Sequence, residues 1–258
     1  MSAIALDGVT FVRGGRTLLD DVSFHVERGE QWALLGPNGA GKSTMLSICS
    51  ATTFPSRGTA SILGSRMGRV DLRELRASIG VVDARHPLGS NLSVLDVVLT
   101  GITSTIQRVP HWQPDAAQLE RAALLMKSPG VDGPEERRWL TMSQGERGRT
   151  LIARALMTEP PLLLLDEPST GLDLAAREQM ITTLDELPST VPGITTVTVT
   201  HHLEELPRGT SHAALMRTGR LVASGPVDDV LTDEAVSACF DHPVHVERDA
   251  RGRWRATA

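Results

Sequence analysis

Apolar positions along the chain fall into short runs with two different periods. Near the N-terminus "AIALDGVTFV" and "TLLDDVSFHV" alternate or cluster apolar residues on either side of the turn-prone "RGGR", which predicts an antiparallel strand pair. The run "QWALLG", residues 31–36, predicts a short buried strand, and "KSTMLSICSA" directly after its glycine loop carries apolar residues at helical spacing. Further runs, "ASIGVVD", "PPLLLLDEP" and the β-branched "ITTVTVTHH", predict more buried strands between helical stretches. Buried strands alternating with helices define an α/β chain with a parallel sheet. From about residue 85 to 149 the period changes: "VLDVVLTGI" and "AAQLERAALLMK" are helical and no strong strand appears. This predicts an α-helical subdomain at about 85–149 inserted into a core formed by 1–84 and 150–258. Pro110, Pro114, Pro129, Gly130, Gly133 and Pro134 divide it into short helices and loops.

At 258 residues the chain suffices for one domain with a small lobe. Its 40% hydrophobic and 22% charged residues are ordinary for a globular protein, which argues against disorder. The net charge of −5 argues against nucleic acid as a partner, since neutralising phosphates takes clustered Lys and Arg. Cys49 and Cys239 lie far apart with no C-x-x-C spacing, so neither a disulfide framework nor a zinc site is expected, and a reducing cytoplasm fits best. No secretory pattern is expected at the N-terminus. The longest run of consecutive leucines is Leu162 to Leu165, far short of the roughly 20 residues a spanning helix needs. Any work at a membrane is therefore expected to pass through a partner.

The chemistry concentrates in the glycine loop. Gly36, Pro37, Asn38, Gly39, Ala40, Gly41, Lys42 and Ser43 match G-x-x-x-x-G-K-[ST] between a predicted strand and a predicted helix, and Thr44 directly after them is a further candidate for nucleotide binding. Glycines let backbone N–H groups converge on phosphate oxygens, and the helix presents its positive end to the same anion. Lys42 is expected to reach the outer phosphates and Ser43 to ligate Mg2+. Far along the chain, "LLLLDEPSTGLD" ends an apolar strand in Asp166 and Glu167. That is where a metal-organising carboxylate and a general base are needed beside a phosphate loop.

With "GPNGAGKST", "MSQGERGRTLIARALMTEPPLLLLDEPSTGLD" and "VTVTHHLEEL" following in that order, the chain resembles the ATP-binding cassette of ABC ATPases over nearly its whole length. The resemblance implies a P-loop NTPase fold with a RecA-like core, an N-terminal antiparallel β subdomain and an inserted helical subdomain. It implies ATP and Mg2+ as cofactors, with Ser43 and Asp166 on the metal. It also implies that Glu167 activates water, and that His201, directly after Thr200, senses the γ-phosphate in preference to His202. Met142 to Glu146 occupies the signature position, with Ser143 and Gly145 retained. In the family these face the nucleotide held by an opposite subunit, and Asp173 falls at the dimer seam. Ser143 also reads as an ordinary helix N-cap, and the two roles are compatible.

Two departures stand out. The family usually stacks adenine on an aromatic residue of the early strand pair, and this chain has no Tyr; Arg13 stands at that place, and a guanidinium plane can stack on a base. The glutamine expected after "IGVV" is missing as well: "DARHP" stands there, with Ala84 at the expected position and Asp83 as the available polar ligand. The resemblance implies an ATP-hydrolysing subunit that acts as a homodimer or with a paired cassette. Such a subunit would energise a separate transmembrane permease, that of an importer, from the cytoplasmic face of the membrane. A soluble, non-transport ATPase of the same fold is the alternative.

Overall fold

The computed structural model describes residues 2–83, 88, 92–127 and 137–258. Ala84, Arg85, His86 and Pro87 at the altered loop, and Pro129, Gly130, Gly133 and Pro134 in the helical stretch, lie outside the described residues. The chain opens on the expected hairpin of β1 (Ser2–Arg13) and β2 (Arg16–Glu27). In β2 the side chains of Val22, Phe24 and Val26 are buried while Ser23, His25 and Glu27 are exposed, the period of two that a one-sided sheet requires. After β3 (Gln31–Leu35) and α1 (Lys42–Cys49), β4 (Arg57–Ile62) returns antiparallel to β1 and β5 (Ser65–Arg66) adds an edge, giving a sheet of order β2-β1-β4-β5. The short strands β4 and β5 carry little alternation of their own and are defined by pairing, so they go unread in the sequence.

Helix α2 (Leu72–Ala77) leads to β6 (Ile79–Asp83). Among the described residues α3 (Val94–Thr103), α4 (Ala116–Lys127), a 3-10 turn at Trp139–Thr141 and α5 (Gln144–Leu156) follow before β7 (Leu162–Asp166). Then come α6 (Leu174–Thr190), β8 (Thr195–Thr200), a 3-10 turn at Leu203–Glu205 and the hairpin β9 (His212–Arg217) and β10 (Arg220–Pro226). Short α7 (Val227–Val230), α8 (Asp233–Phe240) and a terminal hairpin, β11 (His245–Arg248) with β12 (Trp254–Thr257), complete the described chain.

The central sheet has the order β10-β9-β3-β8-β7-β6. It is parallel except for β10, which runs antiparallel to β9. All five residues of β7 are buried, as expected of a strand covered on both faces. Alternate leucines serve different cores. Leu162 and Leu164 join Val197, Val199 and Leu34 in the core shared with the β1–β2 sheet, and Leu163 and Leu165 join the core built with α3, α5 and α6. The predicted end of the helical segment, residue 149, falls inside α5, whose Leu151, Ile152 and Leu156 share that second core. Helices α3 and α5 approach so closely that a Cβ on Gly101 would lie 2.0 Å from the Arg154 carbonyl oxygen, so only glycine fits there.

Candidate nucleotide site

The loop between β3 and α1 turns where the backbone leaves the sheet. Gly36 adopts φ 150°, and a Cβ there would sit 2.1 Å from the Met216 carbonyl oxygen of β9, so the turn requires glycine. Asn38 to Thr44 then line a pocket of about 500 Å3 together with Glu167. The remaining lining comes from Thr17 and Leu18 of β2 and from Thr218 and Gly219, the turn between β9 and β10. These four residues were not anticipated. No local sequence pattern announces them, because the turn reaches the loop only through tertiary pairing: Gly219 N–H donates to the Ala40 carbonyl at 2.8 Å, and Asp20 N–H donates to the Gly219 carbonyl at 2.8 Å.

Lys42 is buried at the start of α1, 5% exposed, and its Nζ donates to the carbonyls of Gly36 at 2.6 Å and Pro37 at 3.0 Å. An ammonium has three N–H donors, so one remains for a phosphate oxygen. Burial pushes the Lys42 pKa down, while the carboxylates of Glu167 and Asp166 pull it back towards the charged form. One residue further, Ser43 Oγ donates to Asp166 Oδ1 at 3.3 Å. Asp166 ends β7, one strand over from the end of β8, and pairs in register with Asp83 at the end of β6.

Glu167 follows at φ 48°, a left-handed conformation unusual for glutamate, with its N–H donating to the Val199 carbonyl at 3.0 Å. The turn brings Glu167 Oε1 to 3.3 Å from His201 Nδ1, and Thr170 Oγ1 donates to Glu167 Oε2 at 3.2 Å. His201 lies beside the ring of His202, with centroids 4.1 Å apart. Behind it Thr200, buried at the end of β8, donates its hydroxyl to Glu205 Oε2 at 2.6 Å and accepts from His202 N–H at 3.1 Å. Asp166, Glu167 and His201, distant in sequence from the glycine loop, are therefore joined to it through Ser43 and the pocket wall.

Ser143, Gly145 and Asp173 are not among the residues lining this pocket. Ser143 caps α5 in a reciprocal box: its hydroxyl accepts from Glu146 N–H at 3.3 Å and its own N–H donates to Glu146 Oε2 at 2.7 Å. Burial pushes the Glu146 carboxyl up, but the Ser143 N–H and Arg137, which forms an ion pair with it, hold it below the usual range overall. Asp173 caps α6 by accepting from Ala176 N–H at 2.8 Å, and Gln144 Nε2 donates to the Thr170 carbonyl at 3.1 Å, tying the start of α5 to the loop before α6. Arg13, at the exposed end of β1 beside Arg16, does not line the pocket; the same hairpin contributes Thr17 and Leu18 instead. Burial pushes the thiol of Cys49 up to about 12 and that of Cys239 up to about 11, so neither is a nucleophile near neutral pH.

A glycine loop at a helix start, a buried lysine, and a hydroxyl–carboxylate pair at adjacent strand ends define a P-loop NTPase. The ABC transporter family model matches residues 19–170. The chain is 38% identical over 246 residues, 94% of its length and 92% of the relative's, to the uncharacterized ABC transporter ATP-binding protein YlmA of Bacillus subtilis (strain 168). It is 37% identical over 240 residues to the cobalt import ATP-binding protein CbiO of Rhodobacter capsulatus, covering 91% of this chain and 82% of that one. It is 36% identical over 238 residues to the Nod factor export ATP-binding protein I of Neorhizobium galegae, covering 90% of this chain and 64% of that one. Among solved structures it superposes with TM-score 0.75 and 26% identity on the dimeric post-hydrolysis state of the ATP-binding cassette MJ0796 bound to ADP and Pi, covering 87% of this chain and 98% of that chain. The chain belongs to the ABC transporter family, as an ATP-binding subunit, and is an ATPase. Among the described residues no helix is long and apolar enough to cross a membrane.

Proposed function

We propose that this chain hydrolyses Mg·ATP as one of two cassettes that close on nucleotide and thereby drive the separate permease of an importer at the cytoplasmic face of the membrane. The observation that carries the reading is that Lys42, Ser43 and Glu167 line one pocket, with Asp166 bonded to Ser43 and His201 beside Glu167. One hydroxyl and one carboxylate do not cage a metal, which suits Mg2+, an ion that keeps waters and takes phosphate oxygens as further ligands. Loop N–H groups and Lys42 would bind the phosphates. Mg2+ at Ser43 and Asp166 would neutralise charge developing on the transferred group. Glu167, held by His201 and Thr170, would orient water and accept its proton.

Ser143 and Gly145, standing apart from the pocket of their own chain, would complete the site of the opposite cassette, with Asp173 at the seam. The dimeric cassette bound to ADP and Pi supports a two-cassette arrangement. The cobalt import name supports import, while the Nod factor export name belongs to the opposite direction. A permease partner is supported by the import role in the name of the cobalt relative. Arg13 would contact the base once nucleotide fills the pocket lined by Thr17 of the same hairpin.

The test is Glu167→Gln, which keeps the shape of the side chain but cannot take a proton. It should bind ATP while losing turnover by about two to four orders of magnitude, and should run as an ATP-dependent dimer in size-exclusion chromatography. A variant that stays monomeric with ATP and turns over normally would refute both the base and the paired cassettes. Absence of any membrane protein after affinity purification from detergent-solubilised native cells would refute the transport reading and favour a soluble ATPase.

A further inference from the structure

At the far end of α6 from its C-terminus, the terminal hairpin folds over the 3-10 turn that follows His201 and leaves a cleft of about 450 Å3. Five arginines and three carboxylates line it, so the cleft is net positive although the chain as a whole is net negative. Part of this charge is already paired. Arg253 forks onto Glu178 at 3.0 and 3.2 Å and donates to the Glu204 carbonyl at 2.9 Å, which clamps the hairpin to α6, and Arg255 meets Asp249 at 3.3 Å. Buried Trp254 packs beneath the hairpin in the core that also holds Leu203 and Leu35. The cleft is therefore a built feature with a fixed wall.

The guanidiniums of Arg208 and Arg251 have a different status. Each residue hydrogen-bonds a carboxylate only through its backbone N–H, to Asp185 and Asp249 respectively; the charge of Arg251 helps to hold the Asp249 carboxyl below the usual range, but neither guanidinium makes a hydrogen bond to any described residue. Two guanidiniums with no hydrogen-bond acceptor, lining one net-positive cleft, match an oxyanion that can take up both forks. Arg177 is the third relevant cation. It lines the cleft, its Nε makes no hydrogen bond, and it approaches Glu205 Oε1 at 3.9 Å. The other oxygen of Glu205 is the acceptor for Thr200, whose hydroxyl holds His202 N–H next to His201.

We propose that this cleft binds a small oxyanion carrying two or more negative charges, and that its occupancy reaches His201 through Arg177, Glu205 and Thr200. An anion that draws Arg177 away from Glu205 leaves the Glu205 carboxylate to Thr200 alone. That changes the hydrogen bonding directly behind the histidine paired with Glu167. Carboxylate and phosphate ligands share this chemistry, and two probes separate them.

The experiment titrates citrate into the full chain, and inorganic phosphate into the Lys42→Ala variant so that the glycine loop does not report. Both are followed by isothermal titration calorimetry and repeated with Arg208→Ala/Arg251→Ala added. Saturable binding of at least one probe is expected, weakened about tenfold or more by the double substitution. The stronger probe identifies the ligand class. The two substituted residues are exposed, so the double variant should fold and hydrolyse ATP at the wild-type basal rate. At fixed free Mg2+, the bound probe should change the turnover of the wild-type chain and leave that of the double variant unchanged. Binding of neither probe, or equal binding by the double variant, overturns the site. Binding with the same turnover response in both proteins overturns the link to His201.

Discussion

Thr200→Val tests whether the hydrogen bonds behind His201 hold the site together. The side chain is 1% exposed and valine has nearly its shape, so the substitution removes hydrogen bonds with little change in packing. Two bonds are lost: the hydroxyl's donation to Glu205 Oε2 at 2.6 Å and its acceptance from His202 N–H at 3.1 Å. A bond to a carboxylate contributes about 2 kcal/mol, and the stranded, partly buried N–H costs about 1 kcal/mol more. The added methyl group recovers about 1 kcal/mol. The net loss is about 2 kcal/mol, which for a chain of this size lowers Tm by about 4–8 °C. Thr200→Ser keeps both bonds and should lose far less of the hydrogen-bond contribution. The assay is paired thermal melts by circular dichroism with steady-state ATP turnover, in which Thr200→Val should also slow hydrolysis, because His201 adjoins the lost bonds. A Thr200→Val protein that melts within about 2 °C of wild type and turns over normally would show that the Thr200–Glu205 bond neither stabilises the strand end nor positions His201.

Lys42→Ala should abolish nucleotide binding or nearly so, since among the described residues it removes the one buried cation lining the pocket; wild-type affinity in a fluorescent-nucleotide titration would refute the assignment. Arg13→Ala should change the ratio of ATP to GTP affinity if the guanidinium meets the base. An unchanged ratio would reduce Arg13 to a solvated hairpin end and leave base contact to Thr17 and Leu18, which already line the pocket.

Much of the fold was legible because its signals are local. The alternation in "VSFHV" marks a strand with one wet face, and four successive leucines mark one covered on both. The glycine loop shows itself for the same reason: strand, turn and helix start lie within 14 residues of one another, from Gln31 to Ser43 and Thr44. The capping box of Ser143 and Glu146 is likewise written in a four-residue pattern.

What the chain could not state locally is which distant pieces meet. The Ser43–Asp166 contact joins residues 123 positions apart, and the Glu167–His201 contact joins residues 34 apart. Both exist because β3, β8 and β7 are neighbours in a parallel sheet whose register sets Asp166 beside Val199 and Leu35 beside Thr200. Parallel order depends on how crossover connections pack, and no short window contains it. The same sheet carries the turn at Thr218 and Gly219 to the glycine loop and folds the terminal hairpin against α6. The sequence alone therefore determined the elements whose apolar pattern is strong and local, and the motifs that mark candidate chemistry on them, but not short strands such as β4 and β5 that are defined by pairing. The tertiary structure decided which strand ends stand side by side, because that choice is settled by burying both faces of one sheet and satisfying its backbone hydrogen bonds together.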